Sequence, residues 1–316
     1  MRFGDFEVLE TAGAGATGTV YRARDVRSGK VVAVKVVSPD AVAGLEQEAA
    51  TLRRLQHRHL VRLLETGTTE DGRPWLAQAW VDGVGLDRLL QVHGTLTAEQ
   101  AVGVLHGALQ GLAHAHEQGV VHRDVAPGNV LVDTAGTSML VGFGIAAPVG
   151  ATGVRGTPAF LSPEAAAGAA VGPTSDVYSA GAVLHLLLAG QPVFPVADVT
   201  AALQAHRTTA PPRLHGHGEG FADLLQRCLA KSPADRPPDA GALLSELDDT
   251  ADRRFGAGWL ARASVAALVP AARAAGSGTA GTQAAGAARE TVVLTTGAVS
   301  TGAAAAAAPA PAASTA

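Results

Sequence analysis

Strand-forming runs in the first 80 residues, followed by helical periodicity, predict an α+β chain with a small strand-rich lobe and a larger helical lobe. Three observations carry this expectation. Val31-Val32-Ala33-Val34-Lys35-Val36-Val37 is a β-branched run of strand length. From Ala98 onward apolar residues recur at helical spacing. Breakers such as Gly119, Gly190 and Pro233 sit near the ends of those periodic stretches.

In chain order, Thr19-Val20-Tyr21-Arg22-Ala23-Arg24 alternates its faces, Gly29 marks a turn, and Val31–Val37 forms the next strand. Ala41 to Leu55 places Leu45, Ala49, Leu52 and Leu55 on one helical face. Helices are expected at 98–118, 176–189, 221–230 and 239–248. Composition changes near residue 250. We divide the chain into a small lobe, 1–82, a large lobe, 83–250, and a helical extension, 251–275. That extension carries Trp259, Leu260 and Leu268 and either docks on the domain or frays. Residues 276–316 are Ala, Gly, Thr and Ser with few large apolar side chains, so their burial cannot offset ordering entropy and a disordered tail is expected.

The 316 residues carry a formal net charge of -4, which calls for no nucleic-acid partner. The single cysteine, Cys228, excludes an internal disulfide and points to a reducing, cytoplasmic setting. Asp5 and Glu7 stand where a signal peptide needs an apolar core. The longest membrane candidate, between Arg262 and Arg273, is interrupted by Pro270 and falls short of the roughly 18 apolar residues a span requires.

Three motifs carry chemistry. Gly13, Gly15 and Gly18 in GAGATGTV are spaced G-x-G-x-x-G. A dinucleotide fold would open a helix at the third glycine; here a strand follows, which favours a glycine hairpin over phosphates. Lys35 lies on the next strand, and a partner carboxylate on the following helix would hold its ammonium for α- and β-phosphates. Glu48 is the preferred partner and Glu46 the competitor. His122-Arg123-Asp124-Val125-Ala126-Pro127-Gly128-Asn129 places Asp124 and Asn129 five apart on one loop, suited to a hydroxyl-orienting base and a metal ligand.

Together these motifs resemble the bacterial Hanks-type serine/threonine protein kinases over about residues 5–248. Gly156-Thr157-Pro158 with Ser162-Pro163-Glu164 resembles the end of that family's activation segment, and DVYSAGAVLHLLLAGQPVF from Asp176 its buried central helix. The resemblance implies a bilobal kinase fold, ATP as the bound nucleotide, and a Glu164–Arg236 pair. It also implies Gln78 as gatekeeper, Ala79-Trp80-Val81 as adenine hinge, and Val20, Ala33 and Leu131 around the adenine ring.

Two positions depart from the family pattern. Where the family carries Asp-Phe-Gly with a magnesium-binding Asp, this chain reads Gly142-Phe143-Gly144, and glycine offers no ligand. Ala126 replaces the catalytic-loop lysine, and Gly128 stands where the tyrosine-kinase pattern would place a compensating arginine. Asn129 is left as a weak magnesium ligand. Family turnover is roughly 1–100 per second, and each lost electrostatic group costs about two to three decades. Two losses leave about one event per minute at best.

The expectation is therefore a protein-kinase-like, ATP-binding pseudokinase or very weak kinase acting in signalling, with magnesium use compromised. The alternative is an active kinase transferring the γ-phosphate of ATP to protein serine or threonine through Asp124 and Asn129. A third possibility is an empty pocket in which Phe143 and His122 merely pack with Leu52. Thr152 and Thr157 are the threonines of the short segment 142–164, His215 and His217 read as a polar loop, and Arg289–Val293 is a β-prone island in the tail.

Overall fold

A computed structural model describes residues 1–15, 18–37, 45–143, 147–195, 198–276 and 292–294. The small lobe is built on strands β1 (Arg2–Phe3), β2 (Phe6–Gly15), β3 (Gly18–Asp25) and β4 (Val31–Val37), then helix α1 (Leu45–Arg54), then β5 (Leu63–Thr68) and β6 (Pro74–Ala79). The six strands form one antiparallel sheet in the order β1-β2-β3-β4-β6-β5. In β4 the side chains alternate as a strand requires. Val32, Val34 and Val36 are buried against Phe3, Phe6 and Trp75, while Ala33 and Lys35 are half-buried on the other face.

The large lobe begins with β7 (Gly83–Gly85), α2 (Leu86–His93) and α3 (Ala98–Glu117). A capping box starts α3: Gln100 N–H donates to Thr97 Oγ1 at 3.2 Å, and Thr97 N–H donates to Gln100 Oε1 at 3.1 Å. Short strands β8 (Val120–Val121), β9 (Val130–Asp133) and β10 (Ser138–Leu140) flank the loop that carries Asp124. The segment beyond them contains β11 (Ala147–Pro148) and β12 (Val154–Gly156), of which β11 pairs with β8.

Helices α4 (Pro163–Ala166), α5 (Pro173–Ala189), α6 (Val199–Thr208), α7 (Glu219–Cys228) and α8 (Ala240–Phe255) complete the lobe. One large core runs from Leu52 and Leu60 through α3 and α5 to α7 and α8. Helix α5 is apolar around most of its circumference because it lies inside this core.

The extension differs from the single helix expected over 251–275. Helix α8 crosses residue 250, because Leu247, Thr250 and Ala251 continue its buried stripe despite the acids Asp248, Asp249 and Asp252. Two further helices, α9 (Trp259–Arg262) and α10 (Val269–Gly276), then dock on the lobe. Trp259 is buried edge-on against His106, with ring centroids 5.9 Å apart. The His93 ring approaches Leu268 C=O at 2.8 Å, and Arg273 pairs with Asp82 at 2.8 Å. Leu260, grouped with Trp259 in the sequence reading, is 46% exposed.

Within the tail expected to be disordered, the strand that forms overlaps the β-prone island 289–293. Val292–Leu294 forms β13, antiparallel to β12, with Val154↔Leu294, Arg155↔Val293 and Gly156↔Val292 in register. A β-branched pair within an Ala/Gly-rich stretch supplies the strand propensity its neighbours lack. The rest of 277–316 lies outside the described residues. Among the described residues no single helix is long and apolar enough to cross a membrane.

Candidate functional site

Register places the candidate nucleotide-facing side chains. Directly opposed residues in an antiparallel pair share a face, and the pairs Val20↔Lys35, Ala33↔Gln78 and Arg22↔Ala33 bring Val20, Ala33, Lys35 and Gln78 to one side of the sheet. The opposite side holds Val32, Val34 and Val36 in the small-lobe core. Ala79 pairs with Val32 and so shares that other face, and its N–H donates to Arg62 C=O at 2.9 Å. Val81 and Leu131 are buried together with Val61, and Met139 and Val141 pack beside them. The adenine-side residues implied by the resemblance thus fall into two groups, a sheet face and an apolar cluster where the chain passes between lobes.

The glycine hairpin forms as expected, with Gly13↔Val20 and Gly15↔Gly18 in register. Gly18 has a packing reason to be glycine: its φ is +143°, and a Cβ there would collide with the Val36 carbonyl. The α1 backbone carries residue 48, but the Glu48 and Glu46 side chains lie outside the described residues, so their choice as partner for Lys35 stays with the sequence.

The Asp124 loop is held from beneath by buried polar groups. Asp176 on α5, fully buried, accepts from His122 N–H at 2.7 Å and from Arg123 N–H at 2.8 Å. His116 on α3 joins it, with Nε2 2.9 Å from Asp176 Oδ2, while Nδ1 accepts from Ala240 N–H at 3.1 Å. That second bond makes Nε2–H the donor to Asp176. His122 Nδ1 accepts from Asp124 N–H at 3.2 Å, so its Nε2–H donates to Val141 C=O at 2.8 Å. Burial pushes the His122 imidazole below its ordinary range, against the pull of Asp176 and Asp124. Phe143 packs edge-on against this ring with centroids 4.4 Å apart, and Leu52 belongs to the same core.

Asp124 itself is buried, and its oxygens are engaged. Oδ1 accepts from Thr157 N–H and Thr157 Oγ1–H, each at 2.7 Å. Oδ2 accepts from Asn129 Nδ2–H at 2.9 Å, and the same amide donates to Asp124 C=O at 2.7 Å. These bonds fix the Asn129 amide, whose Oδ1 is buried with no hydrogen-bond partner among the described residues. That oxygen faces Gly142. At φ +86° Gly142 lies so close that an added Cβ would fall inside van der Waals distance of Asn129 Oδ1.

Beside the loop is a cavity of about 550 Å³ whose walls include Asp87, Gln91, Ala126, Asn129, Thr157 and Phe160. Ala126 contributes only a methyl group to it. Further out, Arg236 donates to both Glu164 oxygens, at 2.8 and 2.9 Å, and to Thr174 C=O at 2.9 Å. Ser175 Oγ–H donates to Glu164 at 2.7 Å. Burial raises the Glu164 carboxyl, but the Arg236 guanidinium and Ser175 outweigh it and hold the group below the usual carboxylate range. The pair implied by the resemblance is therefore present as a bidentate, buried bridge.

Sequence reasoning missed His116 and the Thr157–Asp124 contact. His116 lies one turn after Leu112 on the buried stripe of α3, which marks its position as internal without naming a partner. His215 and His217 belong to no metal-binding group among the described residues.

A strand-rich lobe over a helical lobe, with a lysine-bearing sheet face and a buried Asp–Asn loop between them, defines the kinase architecture. Residues 6–246 match the family described as the protein kinase domain, and the chain belongs to that family. It is similar to the serine/threonine-protein kinase PknL of Mycobacterium tuberculosis, 38% identical over 258 residues that cover 76% of this chain and 64% of that protein. PknK of the same organism is 36% identical over 266 residues, 78% of this chain and 24% of PknK. PknB is 33% identical over 263 residues, 77% of this chain and 42% of PknB. The chain thus spans between about a quarter and two thirds of these relatives' lengths. Use of ATP and magnesium on protein substrates is general to the family.

Proposed function

We propose that this kinase-family domain binds ATP and acts in cytoplasmic signalling as a pseudokinase or very weak kinase. The observation that carries this reading is the meeting of Gly142 with Asn129, where glycine offers no side chain and, among the described residues, the atom it faces is a neutral amide oxygen. Such a donor set does not fit a magnesium ion held by the protein, which takes one or two carboxylates besides phosphate oxygens. Ala126 removes the cation that would meet the transferring phosphoryl group, and the cavity beside it has no basic side chain in its walls among the described residues.

The nucleotide side fits better. Lys35, Val20, Ala33 and Gln78 share one face, and Val81 with Leu131 offers an apolar surface for a base. Adenine burial and the Lys35 ammonium need no metal, so binding is expected to outlast the loss of transfer. Calorimetric titration of ATP into the full chain tests this: micromolar to low-millimolar binding is expected, weakened about tenfold or more by Lys35→Met. Absence of binding would leave the motifs as packing residues.

One observation favours a second reading, a slow but genuine kinase. Asp124 is held by Thr157 and Asn129 at hydrogen-bond distance, as a working base would be. Residual transfer that Asp124→Asn abolishes would support it.

A further inference from the structure

We propose that Glu10, Arg22 and Trp80 form a clasp between the β2–β3 ribbon and the chain that joins the lobes. Arg22 is thereby a positioning residue for the nucleotide, setting the height of the glycine hairpin over the phosphates. The inference rests on the nucleotide reading for its ligand, whereas the clasp itself is a property of the free chain.

The clasp begins with an irregularity of register. Val8 opposes Ala23 and Glu10 opposes Arg22, so Leu9 is an inserted residue on β2. A bulge of this kind re-aims the side chain that follows it. In regular register the apolar Leu9 would stand opposite Arg22; with the insertion a carboxylate does, and Arg22 Nη1 donates to Glu10 Oε1 at 3.1 Å. Arg22 also pairs with Ala33, which puts it on the face of Val20, Lys35 and Gln78. Its guanidinium lies over the Trp80 ring, 5.5 Å from the centroid and within the range of cation–π attraction. Glu10 engages the N–H edge of the guanidinium and leaves its planar face to the indole.

The neighbouring residue fastens the opposite face. Tyr21 packs on the small-lobe core, its ring centroid 5.3 Å from that of Phe3. Residues 21 and 22 therefore hold the ribbon from both sides. Towards the hairpin, β2 continues as Thr11-Ala12-Gly13-Ala14-Gly15, which brings no large side chain to either face. The hairpin pivots where Arg22 meets Trp80. A glycine loop that covers phosphates binds best when its position is fixed before the ligand arrives.

The test compares Arg22→Ala, Trp80→Leu and the double variant in the full chain, with Arg22→Lys as the conservative control. Amide exchange is followed without nucleotide, and ATP is titrated by calorimetry. In each single variant, exchange at Gly13, Gly15 and Val20 is expected to quicken about threefold, with Phe6 and Ala23 on the core side of the clasp unchanged. The double variant should exchange no faster than the singles, because one shared contact is lost in all three. Arg22→Lys keeps a cation over the ring and should keep most of the protection. ATP affinity is expected to fall about threefold in Arg22→Ala, while the same substitution in the Trp80→Leu background should change nothing. Unchanged exchange in the single variants, or effects that multiply to about ninefold in the double variant, would overturn the proposal. Faster exchange with unaltered ATP affinity would strip Arg22 of its positioning role. A wild type that binds no ATP would overturn the nucleotide reading instead, and exchange alone would decide the clasp.

Discussion

The two sides of the Asp124 loop differ in how they are held. Beneath it, Asp176, His116, His122, Glu164 and Arg236 form a buried frame in which the ionised groups have partners of opposite charge or several N–H donors. Above it, Ala126, Asn129 and Gly142 present a methyl group, an amide oxygen without a partner among the described residues, and a bare backbone. The frame serves the fold, since removing a member strands a buried polar group. The open side bears on phosphate and metal, where substitution leaves packing largely intact. A kinase domain can therefore lose chemistry above the loop while keeping the loop's shape.

The contrast is broken most directly by cutting the frame. Arg236→Ala leaves the half-buried Glu164 carboxylate without its cation and with Ser175 as its side-chain donor, and a loss of about 3–5 kcal/mol is expected in denaturant unfolding. A loss under 1 kcal/mol would place the frame among the dispensable contacts.

Acid should act on the same side. His206, packed by Tyr178 and Phe194, is held neutral by burial and by the Lys231 charge, with its pKa lowered to about 4. The folded pKa lies below the ordinary value near 6.5, so its contribution is complete above about pH 6.5 and is lost as pH falls towards 4. About 3 kcal/mol is expected to disappear over that window, measured by unfolding at successive pH values, and His206→Gln should flatten the profile.

On the open side the effects should be smaller. Gly142→Ala meets Asn129 and a φ of +86°, for an expected cost of about 1–3 kcal/mol. The same strain attends Gly142→Asp, so regained transfer would require Asn129 to move. The smallest expected effect concerns magnesium: adding it should change ATP affinity by less than about threefold, because each factor of ten would need about 1.4 kcal/mol from donors that are missing.

Much of this frame was legible in the sequence. The β-branched run of β4 and the periodicity of α3 and α5 locate the elements, and the residues around Asp124 carry the family pattern. Glu164 with Arg236 followed from that resemblance, not from spacing, since 72 positions separate them. His116 escaped notice because a histidine on an apolar helical stripe does not reveal its partner. The β12–β13 pairing escaped for a related reason: three residues in an Ala/Gly-rich tail specify a strand but not which edge it meets. At α8 the helix was expected to end at residue 248, while the buried stripe of Leu247, Thr250 and Ala251 carries it on to Phe255.

The central claim, a competent nucleotide pocket without competent transfer, is tested most directly by following γ-phosphate from labelled ATP. Wild type and Asp124→Asn would be compared, each with magnesium or manganese, on the chain itself and on a generic basic substrate. The account predicts no more than about one transfer per minute from a chain that binds ATP, against roughly 1–100 per second for working kinases. Wild-type transfer near one per second, abolished by Asp124→Asn, would contradict it and make the chain an ordinary kinase.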